Sequence, residues 1–139
     1  MQANTPSVQR ELEIPKELLQ LLMQVGYVAT GCSMAFKAKD IFEGLQAVRP
    51  NSEEVTIATA ISMFFSLGKF KEPAEMLIKL INKNPSNDLA KSFLALMFKA
   101  GNLIKESETI ANEVIKNNTN KEAVALAKSI LEDNKKTAA

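Results

Sequence analysis

Apolar residues recur at spacings of three and four along most of the chain, and little of it alternates with a period of two. Spacings of three and four place side chains on one face of a helix, whereas alternation is the pattern of a strand. We therefore expect an all-α fold. The predicted helices lie near residues 16–31, 34–48, 52–66, 70–83, 87–100, 103–117 and 120–134.

Several of these helices are predicted to begin at capping residues. Ser52 precedes Glu53 and Glu54, and Asn120 precedes Lys121 and Glu122, which is the arrangement of a capped helix start. The run Pro85-Ser86-Asn87-Asp88 is a looser version of the same arrangement. We expect a helical domain over residues 14–134, with a flexible polar tail at 1–13 and a second tail at 135–139.

The helices pair, and the pairs repeat with a period near 34 residues. Pro50 and Pro85 are separated by 35 residues, and Gly68 and Gly101, each in a turn between helices, by 33. A repeat of this length is typical of tetratricopeptide (TPR) proteins, in which each helix pair covers the apolar face of its neighbour. The seventh helix is then the C-terminal cap. An ordinary helical bundle is the alternative.

The residues at the repeat positions agree with the TPR pattern of large apolar, glycine, small, aromatic and proline residues. The first unit has Leu22, Gly26, Ala38, Phe42 and Pro50, and the second has Ile57, Phe64, Gly68, Phe70, Leu77 and Pro85. In the second unit, Pro73 stands where the small residue is expected, and Ala74 follows it. The third unit keeps Met97 and Gly101 but ends in Asn118.

Within this superfamily, the stretch from Leu22 to Gly101 resembles the needle-subunit chaperones of bacterial type III secretion (the YscG/PscG type). A Gly-Tyr pair in the first helix, the run AFKAKDIFEGLQAVRP and the run MFFSLGKFKEPAEMLIKLI carry the resemblance. It implies three TPR-like hairpins and a capping helix in a right-handed superhelix with a concave groove. It also implies a cytoplasmic chaperone that holds an amphipathic helix of the needle subunit, prevents premature polymerisation, and is stabilised by a small helical co-chaperone.

The first helix of each pair is predicted to line the groove, because helices of this class face the hollow. The set is mostly small or apolar, with an aromatic residue from each unit, and suits an amphipathic helix. Its members are Met23, Tyr27, Val55, Ala58, Ser62, Phe65, Lys91, Ala95 and Phe98. The aromatic residues either anchor a partner or pack between repeats as core. Lys91 is the only basic member, so the clamp with which some TPR proteins bind a terminal carboxylate is not expected.

The composition of the chain argues against several classes of function. The chain has no histidine, one cysteine and five glycines, with no phosphate-binding glycine loop, so we expect no enzyme activity, no metal and no cofactor. A formal net charge of +1 argues against nucleic-acid binding. No apolar run approaches the length of a membrane span, and residues 1–13 lack the features of a secretory signal, so a cytoplasmic location is expected. Alternative functions are a general TPR scaffold and a chaperone for another secreted or translocator protein.

Overall fold

The computed structural model describes residues 16–31 and 35–138, and the side chains at 27–31, 35, 36, 67 and 138 lie outside the description. The predicted N-terminal tail at 1–13 also lies outside it. The described residues form helices and turns without a strand, which confirms the all-α prediction. The helices are α1 (Lys16–Gly31), α2 (Ala35–Val48), α3 (Glu53–Leu67), α4 (Lys71–Lys83), α5 (Asp88–Ala100), α6 (Ile104–Asn117) and α7 (Lys121–Ala138).

The predicted capping residues do begin their helices. The Ser52 side chain accepts a hydrogen bond from the backbone N–H of Val55 at 3.3 Å, and Asn87 accepts one from Ala90 at 3.0 Å. Asn120 accepts from the N–H of Ala123 at 2.9 Å and so caps α7. Each bond satisfies a donor that the first turn of a helix leaves without a partner.

The C-terminal end of α7 differs from the prediction. Residues 135–138 continue the helix instead of forming a tail. No glycine or proline follows Asn134 to end the helix, and Asn134 itself is buried. Lys135 and Lys136 in the last turn favour the helix further, because positive charge is stabilising at a helix C-terminus.

The helices stack in a line. Each described helix contacts the next one, and the odd-numbered helices also contact each other in sequence; no described helix contacts one more than two places away. Three buried apolar clusters follow one another along this stack. The N-terminal cluster is Phe42, Leu45, Val55 and Ala58, the central one is Ile57, Ala60, Ile61, Ala74, Leu77, Leu80, Ala90, Leu94 and Met97, and the C-terminal one is Ala95, Ala111, Val114, Ala123, Ala127 and Ile130. This is the arrangement of a repeat protein and not of a closed bundle.

A close contact at Gly26 packs α1 against α2 in the first hairpin. A Cβ atom at Gly26 would lie 2.6 Å from Cζ of Phe42, whose side chain is fully buried. Real side chains do not approach so closely, so only glycine lets α1 pack onto the ring. The glycine that the TPR pattern places here therefore sets the distance between α1 and α2.

A carboxylate joins the central repeat to the next one. Glu53, in the first turn of α3, accepts hydrogen bonds from the Asn84 side-chain amide at 3.0 and 3.1 Å and from the Asn87 amide at 2.8 Å. Because the Asn87 amide donates to Glu53, its oxygen is oriented to cap α5. Asp88 is 35 residues after Glu53 in the sequence and accepts from Asn117 and Thr119 in the same way. Hydrogen bonds to acidic residues in the first turns of α3 and α5 thus stabilise the turns between repeats.

We expect Glu53→Ala to lower the free energy of unfolding by about 2 kcal/mol, because hydrogen bonds to a charged group contribute about 1.5–3 kcal/mol. Glu54→Ala is the matched control, since Glu54 is exposed in the same helical turn. Both changes remove one carboxylate from the α3 N-terminus, so the helix-dipole contribution cancels. Urea unfolding of both variants measures the difference. Equal losses would show that the amide contacts contribute nothing of their own.

Candidate partner-binding surface

Most of the predicted groove is filled by the protein itself. Val55, Ala58 and Ala95 are 0% exposed, and Ser62 and Lys91 are also buried. Val55 and Ala58 pack in the N-terminal cluster, and Ala95 packs in the C-terminal cluster. These five residues therefore form no open lining in this structure, and their role in partner binding stays a prediction. Small side chains such as Ala58 and Ala95 let neighbouring helices approach closely, and the approach covers them.

Lys91 is a buried cation whose charge is paired by carboxylates of the same protein. Its ammonium group donates to Glu113 at 3.0 Å and lies 3.8 Å from Asp88. Asp88 in turn accepts from Asn117 and Thr119. A buried lysine needs such partners, because burial of an unpaired charge is costly. The cation is therefore engaged inside the protein and is not presented to a ligand carboxylate.

Among the predicted groove residues whose side chains the structure describes, Phe65 is the most exposed. Its side chain is 58% exposed near the C-terminal end of α3. The Phe64 ring contacts it edge to face, with the ring centroids 5.0 Å apart and the planes at 73°. Phe64 packs onto the central cluster, so the pair has one ring anchored and one ring outward. An anchored, exposed aromatic ring is well suited to contact an apolar side chain of a partner.

The remaining predicted groove residues are Met23, Tyr27 and Phe98. Met23 is half-buried against the N-terminal cluster, and the Tyr27 side chain lies outside the described residues. Phe98 is half-buried against the central cluster and borders a cleft of about 370 Å³. The cleft is completed by Lys105, Glu106, Thr109 and Ile110 of α6. Phe65 and Phe98 occupy equivalent repeat positions but differ in exposure, and their roles in partner binding stay predictions.

An apolar stripe on α1 is absent from the predicted set. Leu18, Leu21 and Val25 are about half exposed, and they follow one another at spacings of three and four. Leu19, Leu22 and Met23, on the inner side of the same helix, pack against the N-terminal cluster. The sequence contains the signal for this stripe, because α1 carries apolar residues on more faces than one contact with α2 and α3 needs.

The outer face of α7, at the C-terminal end of the stack, is polar, whereas the outer face of α1 is apolar. Lys99 of α5 donates to the carboxylate of Asp133 on α7, and this hydrogen bond, with the positive charge of Lys99, lowers the pKa of Asp133. The outward residues of α7 are short or charged, namely Lys121, Glu122, Ala125, Lys128, Ser129 and Glu132. α7 has the character of the capping helix that solubilises the end of a repeat array.

Two further observations concern metals and membranes. Within residues 16–31 and 35–138, no three Cys, Asp or Glu side chains come together in a way that could hold a metal ion. None of the described helices combines the length and the apolar character that crossing a membrane requires.

Comparison with known proteins identifies a matching family and a similar solved structure. The family model described as bacterial type III secretion protein (HrpB1_HrpK) matches residues 9–136. Among solved structures, the chain is similar to the first TPR of Spaghetti (RPAP3) bound to HSP90 peptide SRMEEVD, with a TM-score of 0.64 and 17% sequence identity. The match covers 88% of this chain and 97% of that one, and it confirms the TPR-like architecture. The curated proteins give no significant match.

Proposed function

Because the chain belongs to the HrpB1_HrpK family of bacterial type III secretion proteins, we propose that it is a secretion chaperone that binds an amphipathic helix of the needle subunit. TPR folds of this kind are built to bind other proteins, and the fold and the family are typical of proteins without enzyme activity. In the proposal, the chaperone acts in the bacterial cytoplasm, covers the apolar face of the subunit before export, and works with a small helical co-chaperone.

The exposed Phe65 ring is the observation that supports helix binding most directly. A subunit that polymerises through apolar helix faces must have those faces covered until it is exported. Phe65 offers an aromatic contact for such a face near the C-terminal end of α3, and the Phe64 ring, which packs on the central cluster, supports it. Met23 and Phe98 each keep part of the side chain accessible and are proposed to make further contacts with the same partner.

The state of Lys91 argues against an alternative mode of binding. The RPAP3 domain is bound to an acidic HSP90 peptide. In this chain, the one basic residue of the predicted set is held by Glu113 and Asp88. Recognition of an acidic peptide terminus would require taking the buried Lys91 ammonium group away from these two carboxylates, of which Asp88 is buried as well. An apolar helix is the better-matched occupant.

The test is a Phe65→Ser variant, with Ile78→Ser as the control. Ile78 is an exposed apolar residue on α4, a helix that contributes no residue to the predicted groove set. Loss of a central aromatic contact costs about 2 kcal/mol or more, so we expect the affinity for a peptide of the needle subunit's C-terminal helix to fall about thirtyfold. Both variants should keep their far-UV spectrum and lose less than about 1 kcal/mol of stability, because both side chains are at the surface.

Three outcomes would contradict the proposal. A folded Phe65→Ser variant that binds the peptide as tightly as the wild type would exclude Phe65 as the anchor. Co-purification from the native host that recovers no secreted helical subunit, but a cytoplasmic assembly instead, would favour the general scaffold. Cell fractionation adds an independent check, because recovery of the protein with periplasmic markers would exclude a role that precedes export.

A further inference from the structure

The turns at 68–70 and 101–103 each begin with a glycine, but the two glycines have different roles. Gly68 adopts a φ of +63°, a left-handed conformation that favours glycine, and a Cβ atom there would meet nothing within 4 Å. Gly101 adopts a φ of −84°, which any residue can take. The left-handed position of that turn is occupied by Asn102, with a φ of 63°. The backbone of the second turn therefore does not require glycine at position 101.

The ring of Phe70 is what requires the glycine at position 101. A Cβ atom on Gly101 would overlap Cε2 of Phe70 and lie 2.7 Å from its Cζ, whereas carbon atoms pack at about 3.5–4.0 Å. Phe70 ends the turn between α3 and α4, and Gly101 begins the turn between α5 and α6. The ring thus joins two successive hairpin turns. Because α3 and α5 make little contact of their own, this ring helps to set how far apart their C-terminal ends lie.

The two joined turns lie next to the aromatic residues that the proposed function assigns to the partner. Phe65 stands near the end of α3, and Phe98 stands near the end of α5. The backbone N–H of Leu103 donates to the carbonyl oxygen of Phe98 at 2.8 Å, so the turn that Phe70 contacts is bonded to Phe98 itself. Displacing the Phe70 ring would therefore move Phe98 relative to Phe65.

We propose that Phe70 and Gly101 are positioning residues for partner binding. Their contact fixes the separation between the two aromatic residues Phe65 and Phe98, and the partner helix recognises that separation. The recognition rests on the proposed function, whereas the positioning is a property of the free protein. The Phe70 side chain is 37% exposed, so its ring can turn outward when the contact is disturbed and the domain keeps its fold.

Spin labels measure the separation in the free protein. Cys32 is the single cysteine, so a Cys32→Ser background accepts labels at Phe65→Cys and Ala100→Cys, two exposed positions near the ends of α3 and α5. We expect Gly101→Ala to shift the mean distance between the labels by about 1 Å and to broaden its distribution, because the overlap with the ring must be relieved. Gly44→Ala is the matched control, because its methyl group meets open space on α2 and should leave the distribution unchanged.

Binding of a peptide of the needle subunit's C-terminal helix tests whether the partner uses this separation. We expect Gly101→Ala to weaken binding about tenfold, a usual size for coupling between residues in contact, while Gly44→Ala binds like the wild type. Phe70→Leu makes room for the added methyl group, so the Gly101→Ala, Phe70→Leu double variant should recover most of the affinity and the wild-type distance. Thermal unfolding is measured alongside, because a merely structural role would change the melting temperature and leave the affinity of the folded protein unchanged.

The two measurements distinguish the ways in which the proposal can fail. A distance distribution that Gly101→Ala leaves unchanged overturns the positioning, whatever the peptide does. An altered distribution in a variant that binds the peptide like the wild type also overturns the proposal, because the partner would then not depend on the separation. If the distribution changes as expected but the wild type does not bind the peptide, the positioning is supported and the proposed function is contradicted.

Discussion

A Phe42→Ala variant is expected to lose about 3–5 kcal/mol of unfolding free energy, the usual cost of removing a buried aromatic ring. Phe42 is among the largest side chains that are fully buried, and it fills the N-terminal cluster between α1, α2 and α3. A loss of this size is a large share of the total stability of a domain, which is about 5–15 kcal/mol. Urea unfolding measures it, with Phe65→Ala as the control, because that ring is exposed and its removal leaves no cavity.

The contact between Phe42 and Gly26 allows a second test of how α1 packs on the Phe42 ring. In the wild type, Gly26→Ala should destabilise, because its Cβ atom would overlap the Phe42 ring, even though alanine favours a helix over glycine by about 1 kcal/mol. In the Phe42→Ala background the ring is gone, so Gly26→Ala should stabilise. A change of sign between the two backgrounds is the expected result. The same sign in both would mean that α1 does not pack on Phe42 as described.

Removal of α7 is the second change with a large expected effect. A fragment ending at Asn120 loses Ala123, Ala127 and Ile130, which form half of the C-terminal cluster. The fragment would expose the apolar face of α5 and α6, and burial of Ile130 alone contributes about 1.5–3 kcal/mol. We therefore expect aggregation on purification or a melting temperature far below that of the full chain.

The control for this truncation ends the chain after Asn134. That fragment keeps every residue of the C-terminal cluster and the Lys99–Asp133 ion pair, so it should remain soluble and nearly as stable as the full chain. Light scattering and thermal unfolding compare the two fragments. A soluble 1–120 fragment with unchanged unfolding would show that α7 is not the cap of the stack.

The helices and their starts are predictable from local sequence, and the predicted boundaries agree with the structure to within one residue until the end of α7. Caps such as Ser52 and Asn120 act within one turn, so short-range chemistry decides them. Period and turn residues also predict the pairing of helices. The family resemblance is confirmed for the TPR fold and for type III secretion, while the needle subunit as partner remains a proposal.

The lining of the groove was not predictable in the same way. Periodicity identifies which residues share a face of a helix, but it does not give the distance between that face and the next helix. Ala58 and Ala95 belong to the predicted lining, but their small size lets the protein's own helices close over them. α3 is apolar on several sides, so its pattern also does not distinguish Phe64, which packs inward, from exposed Phe65. The Lys91–Glu113 pair spans 22 residues and depends on how α5 meets α6.

The linear stack of helices has a consequence for the speed of folding. Because each described helix contacts partners no more than two places away, most contacts join residues that are close in sequence. Chains with such low contact order fold on the order of microseconds to milliseconds, since little loop entropy is lost before contacts form. No distant segment has to be synthesised before an earlier hairpin can form. The N-terminal cluster, formed by residues 19–58, can therefore assemble while the rest of the chain is still emerging from the ribosome.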